Sequence, residues 1–149
     1  MATMLVCEMA AYLKKQGITV LEALEQMYAD YGYYLAQVKS VELTGADAME
    51  KAAKMMADMR ANAPKAIGGA EVPVVNDYLA RTSTCIACGV VKPIALPKSN
   101  VLEFVLGDKG SVIVRPSGTE PKVKFYFTAV GETREDAKSL LAAMVAQLS

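Results

Sequence analysis

The chain has 149 residues, a length that suits one domain with its own hydrophobic core plus a short additional segment. Its 16 basic and 16 acidic residues cancel, which argues against a general nucleic-acid binder or a polybasic membrane binder. Apolar residues make up 53 % of the chain, so intrinsic disorder is not expected. No apolar run approaches the roughly 18–20 residues that span a bilayer.

Histidine is absent from the sequence. This excludes catalytic arrangements that depend on histidine and every metal site with a histidine ligand. The cysteines number three, an odd count, and the N-terminus lacks the pattern of a secretory signal. Both observations favour a reduced, cytoplasmic chain over a secreted disulfide scaffold.

The first 32 residues predict an antiparallel helical hairpin. One helix is expected over residues 2–16, with Gly17 ending it in the left-handed conformation. The second helix begins at once, because Thr19 and Glu22 have the spacing of a capping box. Its apolar stripe makes self-association through the hairpin an expectation. We therefore divide the chain into residues 1–32, the hairpin, and residues 33–149, a separate domain.

Residues 33–149 predict the order β-α-β-β-β-β-α. The first helix of this domain is expected to be capped by Thr44 with Asp47 and to carry a Glu50–Lys54 pair. Residues 81–100 show no regular pattern. An antiparallel sheet of about four to five strands with two helices on one face, an α+β fold, fits this order. The first helix's inward face is predicted to hold Met49, Ala52, Ala53, Met56 and Met59. The predicted strands are 33–43, 71–79, 101–106, 111–114 and 122–130.

A polar loop, RPSGTEP, joins the last two predicted strands and is rich in groups that bind anions. Arg115 offers a planar, permanently charged fork that matches phosphate oxygens. Ser117 and Thr119 offer hydroxyl donors, and Gly118 allows the turn of a backbone N–H nest. The composition of this loop is therefore consistent with a phosphate site.

Lys124 lies on the polar face of the following strand and adds a second positive charge to the predicted site. The same residues are also consistent with a rigid hairpin loop whose Ser117 and Thr119 only bond the backbone. Composition alone leaves both interpretations open.

The string RPSGTEPKVKFYF, residues 115–127, resembles the phosphate-binding signature in the C-terminal domain of the α-D-phosphohexomutases. LPKSNVLEFVL (96–106) and YGYY (31–34) are similar to the phosphoglucomutase/phosphomannomutase branch. The resemblance implies a fourth domain with a TATA-box-binding-protein-like fold, preceded by the end of the third domain. It implies that Arg115, Ser117, Gly118, Thr119 and Lys124 bind the phosphate group that is not being transferred.

Members of this family are four-domain enzymes that exchange a phosphoryl group between a phosphoserine and a sugar phosphate, with Mg²⁺ held by an aspartate-rich loop. The serine loop, the aspartate loop and the sugar-binding Glu-Glu-Ser-Gly loop are missing from this sequence. The chain is therefore interpreted as a C-terminal part that binds phosphate but has no catalytic residue, metal or cofactor of its own. Its expected partners are a sugar phosphate and the N-terminal domains. The alternative is a stand-alone regulatory module for a phosphorylated metabolite.

Cys85 and Cys88 have the spacing of half a zinc site. A structural zinc needs four ligands, and only Cys7 remains without any histidine. The pair is therefore expected to be two thiols in an irregular loop. Lys98, Ser99 and Asn100 are expected to have a structural role at the start of a strand.

Overall fold

The computed structural model of the chain describes residues 1–148, in two compact units that meet at Tyr33 and Tyr34. The first unit is a pair of helices, α1 (Ala2–Lys15) and α2 (Val20–Tyr31). Gly17 follows α1 with a φ of 76°, the left-handed conformation that was predicted. None of the side chains of α1 or α2 is buried.

The predicted capping box at the start of α2 is confirmed. The Thr19 hydroxyl accepts the Glu22 N–H at 3.1 Å, and the Glu22 carboxylate accepts the Thr19 N–H at 2.7 Å. The backbone and side-chain hydrogen bonds from Thr19 stabilise the charged carboxylate and hold the pKa of Glu22 below its ordinary value.

The second unit contains the remaining strands and helices. The strands are β1 (Tyr33–Glu42), β2 (Ala66–Ile67), β3 (Ala70–Glu71), β4 (Val74–Asp77), β5 (Thr82–Cys85), β6 (Val91–Pro93), β7 (Leu102–Val105), β8 (Gly110–Pro116) and β9 (Lys122–Gly131). The helices are α3 (Ala48–Ala61), α4 (Arg134–Leu148) and a 3₁₀ turn (Gly107–Lys109). Within residues 1–148, no helix combines the length and apolar character needed to cross a membrane.

Seven strands form the main sheet, in the order β1-β9-β8-β7-β4-β5-β6, and β2 pairs with β3 separately. The strands from β4 to β9 pair antiparallel. The expected count of four to five strands was wrong, because β5 and β6 lie in the segment 81–100 that was predicted to be irregular. These two strands are short and mostly polar, so they leave no alternation of apolar residues in the sequence.

One face of the sheet is covered by α3 and α4, as predicted. Alternate residues of β9 are buried, and Met56 of α3 and Met144 of α4 belong to the same core cluster. The other residues of β9 point to the opposite face, which carries the polar side chains of the strand. The members of β9 in the core are Val123, Phe125, Phe127 and Ala129.

The predicted cap of α3 is not formed. Asp47 precedes the helix but makes no side-chain bond to its first turn, because its carboxylate pairs with Lys51 at 2.9 Å. Thr44 also lies outside the helix, three residues before Asp47, where the Thr44 carbonyl accepts a bond from Lys51.

The predicted face and ion pair of α3 are also corrected. Lys54 pairs with Asp58 at 2.7 Å rather than with Glu50. Met49 and Ala53 were expected in the core but are exposed. The buried stripe of the helix begins at Ala48, one residue earlier than the predicted stripe. The buried residues of the helix are Ala48, Ala52 and Met56.

Candidate functional site

The β8–β9 hairpin brings two of the predicted phosphate-binding residues side by side. Arg115 of β8 lies directly opposite Lys124 of β9 in the antiparallel register. Their neighbours Val114 and Val123 point into the core, so alternation places Arg115 and Lys124 on the face that the helices do not cover. Side chains opposite each other in such a pair are about 5 Å apart at Cβ.

Both cations are available to a ligand. Arg115 is exposed and Lys124 is half-buried, and within residues 1–148 neither side chain makes a hydrogen bond or an ion pair. Like charges directly opposite each other destabilise a strand pair. An anion placed between the two groups would remove that repulsion, so their pairing favours anion binding.

The loop backbone is tied by Ser117. The Ser117 N–H donates to the Lys122 carbonyl at 2.8 Å, and the Ser117 hydroxyl oxygen accepts the N–H groups of Thr119 at 3.5 Å and Glu120 at 3.3 Å. These N–H groups point toward the hydroxyl and not toward a common point in solvent. The predicted backbone nest is therefore not formed here.

Gly118 has a role different from the one predicted. It lacks a positive φ, so its backbone conformation does not require glycine. A Cβ at Gly118 would meet no atom within 4 Å, which shows that the space above the loop is open. The side chain of Thr119, the next residue, is exposed.

The loop also contains an ion pair that was not predicted from the sequence. The Lys122 ammonium contacts the Glu120 carboxylate at 2.6 Å. Their hydrogen bond is the largest cause of two opposite shifts: the pKa of Glu120 is lowered and the pKa of Lys122 is raised. Lys124 lowers the pKa of Glu120 further by its charge. The site thus contains three cations and one carboxylate. The opposite charges of Glu120 and Lys122, two residues apart, were the signal in the sequence from which this ion pair could have been predicted.

A small cavity of about 240 Å³ lies beside the loop. Its wall joins the end of β1 to the start of β9, where the Leu43 N–H donates to the Pro121 carbonyl at 2.8 Å. Glu42, Glu120 and Lys122 supply its charged lining, and Lys122 is paired with Glu120. Arg115 and Lys124 do not line this cavity.

Asn100 has the structural role that was expected for it. Its side-chain oxygen accepts a hydrogen bond from Arg60 of α3 at 2.6 Å. The Ser99 N–H donates to the Tyr78 carbonyl at 3.2 Å, which fixes the segment before β7.

No metal centre is formed by the described part of the chain: residues 1–148 contain no group of three or more cysteine, aspartate or glutamate side chains that could hold an ion. Cys85 and Cys88 form a disulfide. The expectation of two free thiols in an irregular loop was therefore wrong, since the turn after β5 brings the two Cα atoms to 5.7 Å, within the range of a disulfide.

Comparison with known proteins agrees with this fold. Residues 35–147 match the family described as phosphoglucomutase/phosphomannomutase, C-terminal domain. Over 141 residues the chain is 35 % identical to the phosphoglucomutase of Staphylococcus aureus strain bovine RF122 / ET3-1, covering 95 % of this chain and 25 % of that protein. The identity to the phosphoglucomutase of strain MSSA476 is 34 %, with the same coverage.

A solved structure shows the same architecture. It is the open form of the exocytosis-sensitive phosphoprotein pp63/parafusin, a phosphoglucomutase from Paramecium, with a TM-score of 0.53 and 16 % identity. The match covers 87 % of this chain and 22 % of that one, and at this identity it concerns the fold alone. The chain spans about a quarter of the length of the curated relatives it matches.

Proposed function

The chain belongs to the phosphoglucomutase/phosphomannomutase C-terminal domain family, and from this premise we propose that it binds the phosphate group of a sugar phosphate. The observation that carries the proposal is the pair of cations, Arg115 and Lys124, which lie opposite each other on β8 and β9, and within residues 1–148 neither side chain forms a hydrogen bond or a salt bridge. A phosphate dianion fits between them because it bears two charges and several acceptor oxygens.

Each loop residue has a role in this proposal. Arg115 binds two phosphate oxygens through its planar fork, and Lys124 adds a point charge. The Ser117 hydroxyl holds the loop backbone by accepting two N–H groups, and its own proton is free to be donated to an oxygen. Gly118 leaves room for the ligand, and the Thr119 hydroxyl donates from the open edge.

The proposal extends to a larger enzyme. We infer that the chain acts as the fourth domain of a mutase that interconverts sugar 1-phosphate and sugar 6-phosphate through a phosphoserine and a bisphosphate intermediate. Its TATA-box-binding-protein-like sheet would bind the phosphate that is not transferred. Residues 1–32 would be the end of the third domain, with their apolar stripe covered by the rest of that domain. The enzyme would be cytoplasmic.

The chemical step belongs to other domains. Phosphoryl transfer needs a nucleophile in line with the phosphorus and neutralisation of the developing charge. This chain supplies a positive charge at one phosphate, and its described residues do not fit Mg²⁺ because they lack a cluster of carboxylates. We therefore propose that the chain by itself has no mutase activity.

The test is a titration of the chain with inorganic phosphate, followed through backbone amide shifts. The amides of residues 117–119 should move, and Arg115→Ala should weaken binding about 10- to 100-fold, since a hydrogen bond to a charged group contributes roughly 1.5–3 kcal/mol. Arg115→Lys should recover only part of the affinity, because an ammonium lacks the fork.

The matched control is Lys109→Ala. Lys109 is an exposed cation at the other end of β8, about 20 Å away for a strand of this length, so its loss should leave phosphate affinity unchanged. The proposal fails if the amide shifts of residues 117–119 do not change on addition of phosphate. It also fails if Arg115→Ala binds phosphate as tightly as Lys109→Ala and the unmodified chain do.

A further inference from the structure

The turn between β5 and β6 carries two cysteines that the proposed function does not use. Cys85 is the last residue of β5, and its disulfide to Cys88 closes the turn. Cys85 lies in a row of paired residues that crosses the sheet through Val74 and Val105 to Ser111 of β8. Ser111 precedes Arg115 by four residues. The disulfide is therefore separated from the phosphate loop by three strand spacings and about 13 Å along the strands.

The two sulfur atoms of this pair differ in their surroundings. Cys88 is exposed, whereas Cys85 is half-buried. The Sγ of Cys85 accepts the backbone N–H of Cys88 at 3.3 Å. Lys92 lies opposite Ser83 in the β5–β6 pair and lines the same pocket as Cys85 and Cys88. The hydrogen bond from the Cys88 N–H makes Cys85 the better leaving group of the two sulfur atoms.

We propose that Cys85 and Cys88 form a reversible thiol–disulfide site that reacts with an exogenous dithiol. A thiolate of the dithiol attacks the exposed sulfur of Cys88, forming a mixed disulfide and breaking the bond to Cys85. The electron pair of the broken bond goes to Cys85, whose thiolate takes a proton from solvent. The second thiol of the dithiol then attacks the dithiol sulfur that is bonded to Cys88. The Cys88 thiolate leaves and takes up the proton that this second thiol gives up. The protein disulfide is reduced and the dithiol is oxidised by the same two electrons.

Reduction has a structural consequence at this turn. The Cys85 N–H donates to the Val90 carbonyl, and the Gly89 N–H donates to the Cys85 carbonyl, each at 2.9 Å. The Ile86 N–H donates to the Pro73 carbonyl at 2.9 Å. Opening the disulfide releases this turn, so amide exchange at Ile86 and Gly89 should become about 10-fold faster, as expected for the loss of a short cross-linked loop.

The experiment uses the whole 149-residue chain, and Cys7 is the internal control because it is an exposed cysteine outside the disulfide. After incubation with glutathione disulfide, thiols are alkylated and each cysteine is assigned by mass spectrometry. Cys7 should carry glutathione, while Cys85 and Cys88 should carry neither glutathione nor the alkyl group. Dithiothreitol should then return all the cysteines to alkylatable thiols.

Two variants test the assignment of the attacked sulfur. In Cys85→Ser, Cys88 should keep a stable glutathione adduct, because the thiol that would displace glutathione is gone. In Cys88→Ser, the half-buried Cys85 should form its adduct about 10-fold more slowly when the rates are compared at about pH 10, where both thiols are ionised and access limits thiol–disulfide exchange. Equal rates in the two variants would overturn the assignment.

The modification pattern of the unmodified chain tests the proposal even if a variant does not fold. If Cys85 and Cys88 each carry glutathione in the unmodified chain, or remain free thiols while Cys7 is oxidised, the proposal is wrong. The phosphate loop lies elsewhere on the sheet, so neither result affects the proposed phosphate binding. That proposal is tested separately by the phosphate titration.

Discussion

Arg115 and Lys124 show how a single strand register brings together two residues of the proposed phosphate site. In the sequence they are separated by a loop, and each is an ordinary surface cation. The β8–β9 pairing places them opposite each other, where their repulsion costs stability unless an anion is bound. The nearby Glu120 carboxylate, which pairs with Lys122, offsets one of the three positive charges of the loop and so limits the affinity for that anion.

Glu120→Gln should therefore strengthen anion binding at the loop. Removing one negative charge within about 8 Å of the ligand should raise sulfate affinity about 2- to 5-fold at low salt. The gain should shrink as salt is added, because the pair is exposed. Isothermal titration with sulfate measures it, and Lys109→Ala again serves as the control.

The pH dependence of sulfate binding follows from the direction of the Glu120 shift. Its pKa is lowered by Lys122, so the carboxylate stays ionised below its ordinary value of 4.5. The unmodified chain should gain affinity only as the pH falls through that lowered pKa, whereas Glu120→Gln should lack this rise. Identical profiles for the two proteins would show that the carboxylate does not face the anion.

Arg60 joins α3 to the sheet through contacts that no local pattern reveals. Its guanidinium pairs with Asp77 at 3.1 Å, and the two side chains are only 21 % and 18 % exposed. Arg60→Ala should lower the free energy of unfolding by about 1.5–3 kcal/mol. The control is Lys54→Ala, which removes an exposed helical pair worth no more than about 0.5 kcal/mol. Urea unfolding compares the two, and equal losses would contradict the assigned role of Arg60.

At the scale of elements, the turn between β7 and β8 depends on close backbone contact. Gly110 has a φ of 118° and its hydrogen atoms face β9, where a Cβ would overlap the Thr128 carbonyl. Gly107 also has a positive φ, 63°, but a Cβ there would meet no atom within 4 Å. The same residue type thus has two different reasons to be present within one turn.

Gly110→Ala should consequently be far more damaging than Gly107→Ala. The Gly107 variant bears only the conformational cost of a left-handed alanine, about 1–2 kcal/mol. The Gly110 variant must also separate β8 from β9 at their first pair, and it should lose more than twice as much stability in thermal unfolding. If both variants melt at the same temperature, the contact with Thr128 is not a constraint.

At the scale of the whole molecule, the two units differ in what they bury. Among residues 1–148, the core cluster and the apolar residues packed against it begin at Val41, and no helical side chain of the hairpin is buried. The hairpin exposes large apolar side chains, including Met4 at 75 % and Leu21 at 66 %. A surface of this kind is usual for a segment that is covered by other protein.

Deleting residues 1–31 should leave a chain that still unfolds cooperatively, because the core is complete without them. The deletion should also abolish concentration-dependent association, measured by sedimentation, since it removes the exposed apolar helices. Deleting α4 is the matched control and should prevent folding, because Met144 is fully buried. Loss of cooperative unfolding in the first deletion would show that the hairpin is part of the core.

The local patterns of this sequence determined most helices, the longest strands and the position of the polar loop. The alternation in β9 and the capping box at Thr19 are local signals, because hydrogen bonds and burial there depend on residues a few positions apart. Tertiary structure decided the rest. The strand β5 exists through backbone pairing to β4, and β6 through pairing to β5, and their side chains carry no apolar pattern. The Arg60–Asp77 pair and the opposition of Arg115 to Lys124 depend on chain segments that meet only when the sheet is assembled, and the disulfide depends on the turn that pairs β5 with β6. Spacing along the sequence did not predict these contacts, because it does not give the pairing of the strands.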